Sequence, residues 1–385
     1  MVHPGIQHAL SESCGLKSAG ADVTLFSRLA FSGEGGAGWH QKLAEHLPAR
    51  VIACGGIDVH TIQLSLELVN ILAHRHLPLR CWRRLNSVLH EHFEKEIAPL
   101  VAGYDVVISF DTASQVLFER LSSRRPRPLC ILEASIGHPA AGRELLNAAE
   151  RYPQWASTLD IPMADWAVQA ATKEAGLADL VVTGSSWAAK TYVDQNIPES
   201  KIFVNCYGCK FETAGEEESE RSGLLFCGTP SLRKGLPDLL EALTMAGYDQ
   251  ELHIAGGSLP RGVSLETRPT IVMHGRLIPS ELRRLMRRVR AVVLPTYLEG
   301  LSLILAEALS QGCAVVTTAN SGIGTLLDNC PEASDRVILV PPGAPERLAR
   351  AIVDVEHLAI GTPLRVRMPS WTDYGRRLLS RIDRL

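Results

Sequence analysis

Glu299 and Glu307 stand eight positions apart in a stretch, residues 291–324, whose pattern predicts strand, loop, helix, glycine stop and strand. Pro295 closes the strand, Gly300 lets the loop backbone approach a ligand, and Ser302 is placed to cap a helix whose first turn presents backbone N–H groups. Such a helix end can hold a phosphate. Helix rise puts Glu307 roughly 7 Å along the axis from the cap, so two carboxylates flank one anion site. Taken alone, Glu307 is as readily an ordinary helix-face carboxylate. A second loop supplies the opposite charge. Residues 228–235 read Gly-Thr-Pro-Ser-Leu-Arg-Lys-Gly after the apolar run that ends at Cys227. A glycine-bounded loop of this kind, with Arg233 as a bidentate partner and Lys234 as a point charge, is suited to neutralising a diphosphate. The competing account is a solvated basic turn.

Other patterns compete for attention. Gly33, Gly35 and Gly38 satisfy G-x-G-x-x-G, and Asp58 lies 20 residues beyond the last of them. That is the spacing of a dinucleotide fold and raises an NAD(P)-dependent oxidoreductase as an alternative. The run that should feed the loop, residues 28–32, is short and opens on a charge, which argues against it. Cys206 and Cys209 have redox spacing, but no helix follows to lower the first thiol, so structural thiols are expected. Residues 74–84 mix Arg75, Arg80, Arg83 and Arg84 with Leu77, Leu79 and Trp82. Such a patch can lie on an anionic membrane surface, although a solvated surface is the plainer account. Neither half offers a cluster of metal-ligating residues.

The elements that must position these groups follow from length and pattern. A chain of 385 residues is expected to form two domains. Hydrophobic residues at 46% and charged residues at 21% are the balance of a globular protein. A net charge of -3 gives no basic excess to steer the molecule to nucleic acid. No run of 18 apolar residues and no basic, then apolar, N-terminus is present, so a cytoplasmic protein is expected. The nine cysteines are an odd number, several within apolar runs, and are expected to be reduced core thiols.

Short apolar runs alternate with segments of helical period. Strands are predicted at 22–27, 49–54, 104–110, 129–133, 179–183 and 201–206, then at 223–227, 251–255, 270–274, 291–295, 314–317 and 336–340. Runs rich in Val, Ile and Leu without polar alternation predict parallel strands buried on both faces. The acidic stretch 212–221 marks a boundary, and residues 371–385 form an amphipathic helix that must dock elsewhere. A doubly wound sheet is normally built around its first strand, yet only residues 1–3 precede Pro4. The first strand is therefore expected to be vestigial, or the given start to lie downstream of the true one.

These segments, taken in order, resemble the retaining GT-B glycosyltransferases of glycosyltransferase family 4, also called group 1. Ala178-Asp-Leu-Val-Val-Thr-Gly-Ser185-Ser186 is similar to the family's "AD-x-V-I-x-x-S" strand and turn, and residues 196–208 to its "gVP-x-x-K-I-x-V-I-x-x-G". Gly228 to Gly235 resembles its glycine-to-Lys-Gly phosphate loop, with five residues between Gly228 and Lys234, residues 252–257 resemble its glycine-ended L-x-I-x-G strand, and Glu299 to Glu307 matches its E-x7-E motif. The resemblance covers 178–325 closely and 104–139 more loosely. It implies two Rossmann-like doubly wound parallel-sheet domains facing a cleft. Residues 1–211 would bind the acceptor, 212–221 would link, 222–368 would bind the donor, and 369–385 would cross back. The donor it implies is a nucleotide-diphosphate sugar, UDP- or GDP-linked, with retention and no required cofactor or metal. The acceptor it implies is a glycan, a lipid-linked sugar or a small molecule, reached in the cytoplasm or at the membrane face. Arg233 and Lys234 would hold the diphosphate after Gly228. Glu299 and the backbone of Gly300, Leu301, Ser302 and Leu303 would hold the sugar hydroxyls and distal phosphate, and Glu307 the ribose. His138 is the candidate for a histidine near the reacting sugar. Thr229 stands where many relatives have Arg, and Lys210 where Asp is common. With that loop and a short opening strand, a catalytically silent sugar-nucleotide-binding protein is the alternative.

Overall fold

The structure is a computed structural model. It describes residues 1–5, 8–31, 51, 55–77, 79–159, 164–209, 221–260, 263, 270–358 and 360–385, without the side chains of residues 74, 75, 79 and 80. The stretches 33–38 and 210–220, which hold the G-x-G-x-x-G loop and nearly all of the expected linker, lie outside the described residues.

Apolar runs in the first half become strands of one parallel sheet in the order β3-β2-β1-β4-β5-β6-β7. These are β1 (Val2–His3), β2 (Thr24–Ser27), β3 (Asp58–Thr61), β4 (Val106–Phe110), β5 (Leu129–Ala134), β6 (Leu180–Thr183) and β7 (Ile202–Val204). The central strand is present and two residues long. Val2 pairs with Phe26 on one side and Ser109 on the other, and is wholly buried. Strand β3 was not anticipated, because Asp-Val-His-Thr on a sheet edge has no apolar run. The strand expected at 49–54 is described only at Val51, which bridges Phe31.

The second half forms a six-stranded parallel sheet, β10-β9-β8-β11-β12-β13. Its members are β8 (Leu224–Cys227), β9 (Leu252–Ala255), β10 (Ile271–Gly275), β11 (Ala291–Leu294), β12 (Ala314–Thr317) and β13 (Val337–Leu339). Every residue of β11 and β12 is buried, as strands covered by helices on both faces must be.

Helices in chain order are α1 (Ala9–Ser18), α2 (Leu64–His76), α3 (Leu79–Val101), α4 (Gln115–Ser122), α5 (Glu144–Arg151), α6 (Asp165–Leu177) and α7 (Ser186–Val193) in the first half. They continue as α8 (Leu236–Met245), α9 (Pro279–Met286), α10 (Leu303–Ser310), α11 (Ile323–Asn329), α12 (Pro345–Asp354) and α13 (Trp371–Ile382). Two segments cross between the halves. Leu145, Ala148, Tyr152 and Trp155 pack into the hydrophobic core of the second half. In return, Tyr374 and Leu378 of α13 join the first core. A Cβ on Gly15 would lie 2.2 Å from the Trp371 carbonyl, and one on Gly375 2.6 Å from that of Gly15, so α1 and α13 cross at backbone contact.

Seven described cysteines are free. Cys14 is disulfide-bonded, a departure from the expectation of reduced thiols throughout. Among the described residues no helix is long and apolar enough to cross a membrane.

Candidate active site

Strand β8 delivers the basic loop to the place where the second sheet reverses its winding, between β8 and β11, which is where an open α/β sheet leaves a crevice. The turn depends on glycine. Gly228 has φ 146°, its N–H donates to the Ala255 carbonyl at 2.8 Å, and a Cβ on Gly256 would stand 2.4 Å from the Gly228 carbonyl. The loop is then fastened to the one after β11. The Arg233 carbonyl accepts from Tyr297 N–H at 2.8 Å and from Thr296 Oγ1 at 2.9 Å.

These fastenings bring the predicted charges together. Glu299 Oε1 accepts from Arg233 Nη1 and lies 2.6 Å from Lys234 Nζ, and Arg233 Nη1 also donates to the Leu298 carbonyl at 3.0 Å. All three side chains are at most 17% exposed. Burial alone would raise the Glu299 carboxyl; Lys234 and Arg233 outweigh it and hold the group below the usual carboxylate range. The cluster sets two cations around one carboxylate.

Glu299 and Gly300 are also where the halves touch. The Glu299 carbonyl accepts from Gly137 N–H at 3.0 Å, Ser185 Oγ donates to the Gly300 carbonyl, and a Cβ on Gly300 would lie 2.2 Å from the Ser135 carbonyl. Leu301 is buried in the first core. The helix end differs from expectation in two ways. Ser302 Oγ is buried without a partner and makes no cap, and the N–H groups of Ser302 and Leu303 already donate to the carbonyls of Ser321 and Leu301. Of this turn, Leu301 and Ile304 keep N–H groups with no acceptor among the described residues.

Glu307 faces Arg283 Nη1 of α9 at 3.6 Å. Burial raises its carboxyl and Arg283 opposes the rise. Arg283 was missed, because nothing in the sequence ties it to a glutamate 24 residues on. Beyond Gly228, a cavity of about 410 Å³ opens at the carboxyl ends of β9 and β10, lined by Gly257, Ser258, Leu259, Met273, Gly275 and Arg276. Its walls include the glycine-rich turns after those two strands.

His138 follows Gly137 at this seam, but its ring nitrogens engage Ala140 and Thr172 and not the cluster. It is completely buried, its Nδ1 accepts from Ala140 N–H at 3.3 Å, and its Nε2 meets Thr172 Oγ1 at 3.2 Å. Burial lowers its pKa to about 4. The ring therefore reaches no open space and is neutral, which corrects its placement beside a reacting sugar. Asp58 opens β3 at the amino end of the sheet, away from the crevice, where it cannot serve a dinucleotide ribose. Cys206 and Cys209 are free, and burial pushes their thiols up to about 11 and about 12. No group of three or more His, Cys, Asp or Glu side chains is arranged to hold a metal among the described residues.

Residues 221–357 match the family described as Glycosyl transferases group 1. No curated protein matches the chain. Among solved structures, sucrose-phosphate synthase from Thermosynechococcus elongatus superposes with a TM-score of 0.56 at 17% identity, over 98% of this chain and 87% of that one. The UDP-forming α,α-trehalose-phosphate synthase from Burkholderia xenovorans, in complex with glucose-6-phosphate, gives 0.62 at 12% identity, over 99% and 98%. Anabaena HepE in complex with UDP and glucose gives 0.57 at 14% identity, over 100% and 99%. The chain has the GT-B fold, and residues 221–357 of its second half are similar to the group 1 glycosyltransferases.

Proposed function

We propose that the chain is a retaining, metal-independent glycosyltransferase that moves a sugar from a UDP- or GDP-sugar to a hydroxyl of a glycan or lipid-linked acceptor. The observation that carries this reading is the buried cluster of Arg233, Lys234 and Glu299 at the reversal point of the second sheet. Its adjacent guanidinium and ammonium groups suit a diphosphate, and preorganised cations stabilise charge that develops on a departing nucleotide. Glu299 keeps both cations in place and presents its carboxylate toward sugar hydroxyls. Glu307, steadied by Arg283, takes the ribose hydroxyls, and the cavity after β9 and β10 takes the base. The bond from the anomeric carbon to the diphosphate oxygen breaks, a bond to the acceptor oxygen forms, and the acceptor proton leaves to the freed phosphate.

Residues 1–211 bind the acceptor and 222–368 the donor, with 212–221 between them and 369–385 returning to the first half. The helical segment carrying Leu145 and Trp155 adds a second tie between the halves. Cytoplasmic location and contact with an anionic membrane face are part of the reading; Leu77 and Arg84 of residues 74–84 are exposed. The test is transfer from UDP- and GDP-sugars with NMR of the product. The expected result is an anomeric configuration equal to the donor's and undiminished turnover in EDTA. Inversion, or turnover that needs a divalent ion, would overturn those parts.

A further inference from the structure

Three non-glycine residues among those described have φ in the left-handed region: Gln63 at 68°, Thr112 at 71° and Asn196 at 63°. Asn196 follows α7, and an asparagine tolerates that conformation. Gln63 directs its side chain at His92 Nδ1 and Glu96 Oε2, both at 2.6 Å. Thr112 is different. A β-branched residue in this region is strained, and such strain persists only where the surroundings over-determine it.

The surroundings of Thr112 do so. Glu174 of α6, only 4% exposed, accepts from Thr112 N–H at 3.0 Å and from Ser114 N–H at 2.7 Å. His90 Nδ1 of α3 meets the Thr112 carbonyl at 3.3 Å, as the donor when that nitrogen carries the proton. Ser114 Oγ closes the turn on the Phe110 carbonyl at 2.6 Å. Two helices thus hold both backbone groups of one residue, while its side chain is exposed and meets no partner among the described residues. A turn that served only to end β4 would accept glycine here and need no such scaffold.

The position gives the exposed hydroxyl a purpose. The preceding residue, Asp111, accepts from Ser135 Oγ at 2.7 Å, and the Ser135 carbonyl lies against Gly300 of the donor loop. Thr112 thus stands at the carboxyl end of β4, beside the central strand, on the first half's side of the cleft. Resting on the glycosyltransferase reading, we propose that Thr112 is an acceptor-binding residue: the strained turn holds its hydroxyl for a hydrogen bond to the sugar acceptor.

The test uses the full chain, with radiolabelled UDP-glucose and GDP-mannose as donors and serial dilutions of a total cell extract as acceptor. Thr112→Gly relieves the strain and removes the hydroxyl; Thr112→Ser keeps the hydroxyl. The expected result is a higher melting temperature for Thr112→Gly. It should also lose at least tenfold in transfer at limiting extract, with unchanged half-saturation by donor, while Thr112→Ser keeps most of the transfer. Unchanged transfer in Thr112→Gly overturns the proposal, as does a loss seen only as weaker donor saturation. If the unsubstituted protein transfers nothing from either donor, the glycosyltransferase reading itself fails, and the proposal with it.

Discussion

Replacing Glu299 by Gln asks whether the buried cluster is built for a missing anion. The substitution keeps shape and hydrogen-bonding capacity but takes from Arg233 and Lys234, 15% and 17% exposed, the carboxylate they share. Breaking a buried pair on one side costs about 3–5 kcal/mol. The low end applies because all three side chains retain some water contact. At about 2 °C per kcal/mol for a chain of this size, the nucleotide-free protein should melt roughly 6 °C lower. A bound diphosphate restores the anion, so saturating UDP or GDP should raise the melting temperature more in Glu299→Gln than in the unsubstituted protein. The pH dependence has a defined sign. Glu299 titrates below the ordinary carboxylate range, so its stabilisation is complete above that range and is lost as pH falls through the depressed value. The variant should lack that acid limb. Differential scanning fluorimetry with and without nucleotide measures each part. A nucleotide-free variant as stable as the unsubstituted protein would refute the idea that Glu299 offsets the two cations.

Two further outcomes follow from contacts at the seam and at the terminal helix. Gly300→Ala should abolish transfer while leaving each half folded by circular dichroism, because the added methyl would stand 2.2 Å from the Ser135 carbonyl and force the halves apart; preserved turnover would contradict that contact. Glu12 is buried beside Tyr374, whose hydroxyl oxygen lies 2.7 Å from Glu133 Oε2 and 3.3 Å from Glu12 Oε1. Burial pushes the Glu12 carboxyl up to about 8. A raised carboxyl favours folding while protonated, so stability should fall as pH rises from the ordinary carboxylate value through about 8. Glu12→Gln, which mimics the protonated acid, should lessen the slope of melting temperature against pH between 6 and 8.5, the rest coming from the buried carboxyls of Glu133 and Glu174 that burial also raises; an unchanged slope would exclude Glu12 as a contributor.

The charged cluster of the second half was legible because its residues are local in sequence. Arg233 and Lys234 adjoin, Glu299 and Gly300 adjoin, and the glycines that bend these loops sit at the ends of uninterrupted apolar runs. Pairing of the two loops across 66 residues was not legible from spacing, although both follow strands that meet at the sheet's reversal point. The central strand was undervalued because two residues carry no periodicity; its place comes from hydrogen-bonded neighbours on both sides. Leu145 and Trp155 gave no sign of joining the other core, since an amphipathic segment does not name its partner. His138 failed for the opposite reason. Its residue type suggested chemistry, whereas a proline-led turn and Thr172 use both ring nitrogens for structure.

The central claim is that Arg233, Lys234 and Glu299 receive the diphosphate of a nucleotide sugar. Titration calorimetry of UDP and GDP against the unsubstituted protein and Lys234→Ala tests it most directly. Binding of at least one nucleotide, weakened tenfold or more by Lys234→Ala, is the predicted result; no binding of either nucleotide, or equal affinity in the variant, would contradict it.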